Sequence, residues 1–265
     1  MIVLLATRDT DSTTAGTGIL CWKDMETETY GEAPSTKPYN DLEGVSELTS
    51  LPDTAFHRDI DKIVLEAGTS NPEVVKTAIV CPPTIYGPGR GPVNRRSRQV
   101  YSLVNIGLKR NKVLQLGRGL TEWDHVHVHD LSQLWVLLAE AAVKKGSDFS
   151  DNPELWGEKG YFLAENGYHV WGEISKQVAE EAYKSGYISS DKVEAMDVED
   201  AKEAAGFEAL SWGLNSKGSA GRARKFLGWN PIGTSLKDEI PAIIKLEAER
   251  LGIEVGHAKK VAGAS

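Results

Sequence analysis

Several stretches of the chain hold residues whose types and spacing could do chemistry. His125, His127 and His129 alternate with Val126 and Val128, and three imidazoles on one strand face could bind zinc. Alternate strand positions are well separated, however, and no cysteine or carboxylate stands at metal spacing beside them, so no metal is expected. Arg90, Arg95, Arg96 and Arg98 form a local basic cluster. It reads either as a solvated helix start or as a patch facing an anionic substrate group. Tyr86-Gly87-Pro88-Gly89 is loop chemistry just after a strand. In open α/β sheets that is where ligands sit, although a plain turn after a core strand would look the same. Glycine spacing argues the other way. Gly16-Thr17-Gly18 would need a third glycine at position 21 to bind a dinucleotide, and Cys21 stands there. Gly213 and Gly218 are followed by Ser219 rather than Lys-Ser/Thr, so they form no P-loop. No phosphate-binding glycine loop is recognisable.

The elements that must hold these residues read as α/β. Thr77 to Cys81 is a continuous apolar run, the pattern of a strand covered on both faces. Pro82 and Pro83 end its ladder, since neither can donate a backbone hydrogen bond. Residues 2–6 and 15–22 are also strand-like. Residues 23–55 are rich in Glu, Thr, Ser, Pro and Gly without a period and are expected to be a long surface loop. Ile60, Ile63, Val64 and Ala67 predict an amphipathic helix ending near Gly68. Val100, Leu103, Val104 and Leu108 predict another, and residues 113–116 a strand. The alternation at 125–129 predicts a strand, with Asp130 as N-cap of a helix through Leu131, Leu134, Trp135 and Leu138. Beyond residue 146 a short strand is expected at 161–164, then a helix striped by Trp171, Ile174, Val178 and Ala182. Asp197 with Asp200 caps a shorter helix, and Ser235 with Asp238 starts the last, bent at Pro241 and ended at Gly252.

Three motifs carry a family resemblance. Cys81-Pro-Pro-Thr-Ile-Tyr-Gly-Pro-Gly89 resembles the Arg-Pro-x-Asn-Val-Tyr-Gly-Pro-Gly segment of the NAD-dependent epimerase/dehydratase family, the extended short-chain dehydrogenase/reductases. Asp124-His-Val-His-Val-His-Asp130 is similar to its Asp-Phe-Val-His-Val-Asp-Asp step. Arg222-Ala-Arg-Lys-Phe-Leu-Gly-Trp-Asn-Pro231 resembles its C-terminal Lys-x-x-Leu-Gly-Trp-x-Pro signature. The resemblance runs from about Thr14 to Gly252 and is to the family, not to one reaction. It implies a Rossmann-like doubly wound parallel sheet lacking the first βαβ units, about a hundred residues of a complete member. It divides the chain into a partial NAD(P)-binding domain at 1–145, a substrate-binding lobe of helices and short strands at 146–252, and a tail at 253–265. Residues 1–11 match nothing in the family.

The resemblance also implies chemistry. The family works on alcohols, ketones and sugars with NAD or NADP, using a Ser/Thr and a Tyr-x-x-x-Lys pair. Lys lowers the phenol pKa and holds the nicotinamide ribose, while Tyr moves the proton. Lys62 falls where that lysine belongs, as both catalytic and cofactor-binding residue. Arg58 stands at the tyrosine position and cannot act as acid or base. The Ser/Thr position maps to Ala15, with Thr14 and Thr17 as near neighbours, and Thr17 is the catalytic candidate. Pro82, Pro83 and Thr84 resemble the loop that meets the nicotinamide. Tyr86, Asn94 and Arg222 sit at substrate-contacting positions, Arg222 being able to grip a phosphate or carboxylate bidentately. Trp123 replaces the arginine usual before Asp124, which weakens the case for a nucleotide-sugar diphosphate. The implied activity is that of an NAD(P)-dependent oxidoreductase or epimerase on a small alcohol, ketone or sugar derivative. The other reading is a non-catalytic binding or regulatory remnant of the family.

Composition bounds the rest. A chain of 265 residues with 40% hydrophobic content can bury a sizeable core. Net charge −8 argues against non-specific nucleic-acid binding. Two cysteines give no disulfide framework, and the apolar start Met-Ile-Val-Leu-Leu-Ala is too short for a signal core or a membrane span. The expectation is a cytoplasmic protein with a small-molecule substrate and no nucleic-acid or membrane partner. An unpaired sheet edge leaves a homodimer open.

Overall fold

The computed structural model describes residues 2–5 as backbone and residues 16–92, 95–146, 148–206 and 208–256 in full. The chain starts with β1 (Ile2–Leu5). A 3-10 turn (Thr17–Cys21) then leads into α1 (Trp22–Glu26), β2 (Tyr39–Asn40), α2 (Val45–Thr49), α3 (Arg58–Ser70) and β3 (Lys76–Cys81). β1 lies parallel to β3, with Ile2 opposite Lys76 and Leu5 opposite Ile79. The strand expected at 2–6 is therefore present. The one expected at 15–22 is not. Gly16 sits at φ 122, and any side chain there would collide with the Pro82 carbonyl. That turn coils the next residues into a helix that buries Thr17, Ile19, Leu20 and Cys21. A short apolar run fits either structure by pattern alone, and the turn decides it.

The segment expected to be a featureless loop, 23–55, carries α1, β2 and α2 and is anchored through Asp41. One Asp41 carboxylate oxygen accepts N–H bonds from Gly221 and Arg222, the other from Leu163. α3 forms where its periodicity predicts, but with a rotated face. Arg58, Asp61, Val64 and Gly68 are buried, while Ile63 is 64% exposed. Two polar groups can turn inward because they find partners: Arg58 Nη2 donates to the Thr49 carbonyl, and Tyr161 Oη donates to Asp61 at 2.9 Å. Gly68 lets the helix close on β3, since a Cβ there would collide with Thr77 Oγ1.

After β3 come β4 (Thr84–Tyr86), α4 (Gln99–Arg110), β5 (Leu114–Leu116), β6 (Glu122–His127) and α5 (Val128–Val143). α5 begins two residues before the expected cap. His127 is the N-cap, its Nδ1 accepting the His129 N–H. Asp130 lies inside the first turn and instead accepts the N–H groups of Ile232 and Gly233. His129 is thus helical, so the three histidines do not share one strand face.

The remainder is β7 (Tyr161–Leu163), β8 (Tyr168–Val170), α6 (Trp171–Lys184), β9 (Glu194–Met196), α7 (Val198–Ala205), α8 (Glu208–Ser211), β10 (Gly218–Ser219), α9 (Gly221–Leu227) and α10 (Leu236–Leu251). Asp197 and Ser235 cap α7 and α10 as their spacing predicts. β7 joins β3 in parallel, giving the order β1-β3-β7, so strands from the start and the middle of the chain share one parallel sheet. β4 and β6 pair in parallel, with β8 antiparallel on β6. The fold is α/β and Rossmann-like, with parallel strands under helices. One apolar core joins Val64, Ile79, Val80, Leu134 and Phe162 around this sheet. A second joins Leu103, Leu116, Trp171, Trp212 and Ile243 among the later helices.

Candidate functional site

β3 ends at Cys81, and the chain leaves the sheet through Pro82 and Pro83. A cavity of about 110 Å³ opens there, beyond the carboxyl end of the strand. Thr17 closes it from the 3-10 turn and Trp123 from β6. Arg98 and Gln99, at the start of α4, and Leu210 and Leu214 complete much of the wall. The lining is largely apolar.

Local hydrogen bonds fix the two polar ends of this wall. Thr17 N–H donates to the Pro82 carbonyl at 2.9 Å, and the Thr17 carbonyl accepts from Ser216 Oγ at 2.7 Å. Ser216 is held against β6 by a parallel bridge to Trp123, with its N–H donating to the Glu122 carbonyl. Thr17 and Trp123 are both buried, and Thr17 Oγ1 and Trp123 Nε1 have no hydrogen-bond partner among the described residues. Arg98 Nε pairs with Glu208 at 3.3 Å.

The other residues singled out from sequence are distributed unevenly around this cavity. Pro82 and Pro83 line it with Thr17. Thr84 is fully buried on β4 beside His125, with its hydroxyl unpartnered among the described residues, but it does not line the cavity. Tyr86 is also buried. Its hydroxyl donates to the Thr234 carbonyl, its ring packs edge-on against His125 and His127, and burial pushes its pKa up to about 12. Lys62 projects outward and pairs with the exposed Asp53 at 3.0 Å. Arg222 is 1% exposed on α9, paired with Glu154 and stacked near Phe162 and Phe226. It ties elements together and does not line the cavity. Asn94 lies outside the described residues. Phe56, Ser97, Leu210, Ser211 and Leu214 line the cavity and were not singled out from sequence. They come from loops and helix ends with no motif, so spacing alone could not have found them.

A charged cluster flanks the site. Lys217 Nζ bridges Glu122 and Asp124 and sits over the Tyr168 ring. Burial raises the Asp124 pKa to about 7, against the Gly218 N–H bond and the Lys217 charge, which lower it. Next to it His125 Nδ1 and His169 Nδ1 are 3.2 Å apart in a near-parallel stack. Burial pushes both imidazoles down, His125 to about 4.

Comparison with known proteins settles the family. Residues 27–150 match the model of the NAD dependent epimerase/dehydratase family. A protein of Acremonium sp described as oxidase ucsJ is 37% identical over 243 residues, covering 91% of this chain and 69% of its own. The chain belongs to the NAD dependent epimerase/dehydratase family. Among solved family folds, a dTDP-glucose 4,6-dehydratase (DesIV) double mutant from Streptomyces venezuelae, with NAD bound, superposes with a TM-score of 0.57. It is 12% identical over 95% of this chain and 61% of its own. A UDP-glucose 4-epimerase from Thermotoga maritima, solved with UDP-glucose, gives 0.52 at 17% identity, over 84% of this chain and 61% of its own. At such identities the likeness is one of fold. The chain spans about three fifths of the length of these two structures. Among the described residues no helix is long and apolar enough to cross a membrane.

The family's dinucleotide can be tested against the residues present. The nicotinamide end fits: a largely apolar cavity at the carboxyl end of a parallel strand, lined in part by Thr17, whose buried hydroxyl has no partner among the described residues. Among the described residues no strand is continuous through a glycine turn with a helix N-terminus, the arrangement that cradles phosphates.

Proposed function

We propose that the chain is an NAD(P)-dependent oxidoreductase of the extended short-chain type, acting on a small alcohol or ketone in the cavity beside Pro82 and Pro83. The observation that carries this reading is the position of that cavity, between Thr17 and the two prolines at the end of β3. Bound there, a nicotinamide supplies or accepts the hydride. The chain's own residues do the rest. The two prolines present a wall without N–H groups that favours an apolar ring over water. Thr17 Oγ1 orients the substrate oxygen. Lys62, exposed and paired with Asp53, would supply the ribose-side cation on leaving that contact, and Thr84 supports the loop from within β4. Proton transfer is the weak point. Arg58 stands at the tyrosine position with its guanidinium bonded to the Thr49 carbonyl. The lack of a positioned acid costs on the order of 10²–10⁴-fold in rate.

That same arginine supports a second reading, a protein that binds the family's ligand without turning it over. Titration with NAD⁺, NADH, NADP⁺ and NADPH, followed by thermal shift and by NADH consumption with ketone substrates, separates the two. Stabilisation at submillimolar cofactor with turnover supports the oxidoreductase. Stabilisation without turnover supports the binding protein, and no shift with any of the four removes the first reading. β1 pairs only with β3 among the described residues, which leaves a strand edge for a second copy.

A further inference from the structure

A second cavity, of about 360 Å³, lies at the other end of β3 from the candidate site, beside Lys76 where the strand begins. That volume falls within the range of small-molecule sites. Gly68 and Thr69, from the last turn of α3, line it with Pro72, Pro153, Trp156 and Gly157. Trp156 gives its indole N–H to the Phe149 carbonyl at 3.0 Å, so it offers the cavity ring carbon and no donor.

α3 ends in this wall without a cap. Asn71, its C-cap residue, sits at φ −146, outside the left-handed region that commonly closes a helix, and returns no N–H to it. The Gly68 carbonyl would ordinarily accept from residue 72, but Pro72 has no N–H. A Cβ on Gly157 would stand 3.2 Å from that oxygen, so glycine there leaves the oxygen covered by hydrogen alone on that side. Glu158 follows one residue on, about 3.8 Å along the backbone. It lines the cavity with Glu73. Both carboxylates are exposed, and neither pairs with a cation among the described residues. The two lysines of the wall are engaged, Lys76 with Asp151 at 3.1 Å and Lys159 with Glu154. An orphan carbonyl at the negative end of a helix dipole, beside free carboxylates, favours a cation that donates hydrogen bonds. The tryptophan and proline carbon around it favours an apolar body.

We propose that this cavity binds a small arylalkyl primary amine, with its ammonium at the Gly68 carbonyl and its ring against Trp156 and Pro72. A quaternary ammonium would leave the carbonyl without a donor. The site is separate from the cavity beside Pro82 and Pro83, and no residue lines both.

The test follows 2-phenylethylamine, 2-phenylethanol and phenylacetate, which differ in the charge of the head group, by ligand-observed NMR on the full chain at neutral pH. The amine is expected to bind on the order of tenfold more tightly than the alcohol, and the anion more weakly than either. Glu73→Gln with Glu158→Gln should shrink the amine's advantage to about threefold. Alcohol affinity should stay unchanged, which shows that the cavity is still formed. Thr69→Trp, at an exposed position of the wall, should abolish binding of both without lowering the melting temperature. Equal binding of amine and alcohol, preferential binding of the anion, no amine binding, or amine binding that survives Thr69→Trp each overturns the proposal. Nα-acetyl-lysine methylamide, a protein ammonium without the ring, should bind on the order of tenfold more weakly than 2-phenylethylamine. Equal binding of the two overturns the small-molecule assignment.

Discussion

Ser216 Oγ donates to the Thr17 carbonyl at 2.7 Å across a separation of 199 residues. That bond fastens the turn beyond β1 to the strand pair that carries Trp123. Removing the donor leaves the Thr17 carbonyl only its bond within the 3-10 turn, so Ser216→Ala should cost about 0.5–1.5 kcal/mol in chemical denaturation. Ligand affinity in the cavity should fall with it. A variant as stable as the parent would mean that the turn is held by Thr17 N–H and Pro82 alone.

Asp41 plays the corresponding role for the segment between α1 and α2. Its two oxygens accept three backbone N–H bonds from β7 and the start of α9, and burial raises its pKa to about 6. Asp41→Ala leaves those N–H groups unpaired in the interior and should cost about 3–5 kcal/mol. Asp41→Asn keeps one acceptor but turns an NH₂ group toward a donor, so it should recover only part of the loss. Equilibrium urea unfolding of the two variants checks the order.

Much of this architecture was legible in the sequence. The β3 run, the capped α7 and α10, and the loop after Cys81 all follow from local rules, because proline, capping residues and apolar period act within a few residues. The misses share a cause. Whether residues 15–22 form a strand or a turn depended on Gly16 against the Pro82 carbonyl, a contact across 66 positions. The inward face of α3 depended on Thr49 and Tyr161 being there to satisfy Arg58 and Asp61. Of the residues that line the candidate cavity, Thr17, Pro82 and Pro83 were singled out by motif. Leu210 and Leu214 reach the cavity from a distant helix and the loop after it, and no pattern along the chain announces that.

Arg222 offers a clean separation between a substrate contact and a structural tie. It is 1% exposed and paired with Glu154, with aromatic rings on its flanks. Glu154 is 30% exposed, so its carboxylate stays solvated without Arg222, and the loss is that of charge-assisted hydrogen bonds, about 1.5–3 kcal/mol. Arg222→Ala should therefore lower stability by that order while leaving cofactor and ketone affinities of the folded fraction unchanged. A variant of normal stability with weakened ligand binding would return Arg222 to the site. Arg222→Lys should not rescue, because a point charge cannot replace the planar guanidinium between two rings.

Asp124 predicts a pH dependence whose sign is fixed by its environment. Burial raises its pKa from 3.8 to about 7, so the folded state binds the proton more tightly than the unfolded one. The stabilising contribution is complete below about pH 4 and is lost as pH rises through about 7. The full span corresponds to an upper bound of about 4 kcal/mol. His125 works in the opposite sense. Its pKa is lowered to about 4, so its contribution is present above about 6.5 and fades as the solution is acidified. Asp124→Asn removes the first slope and leaves the second. The stability of the variant minus that of the parent should therefore climb steadily between pH 4 and 7 in parallel denaturation curves. A difference that is flat across that window would mean that Lys217, 3.6 Å from the carboxylate, keeps Asp124 ionised throughout.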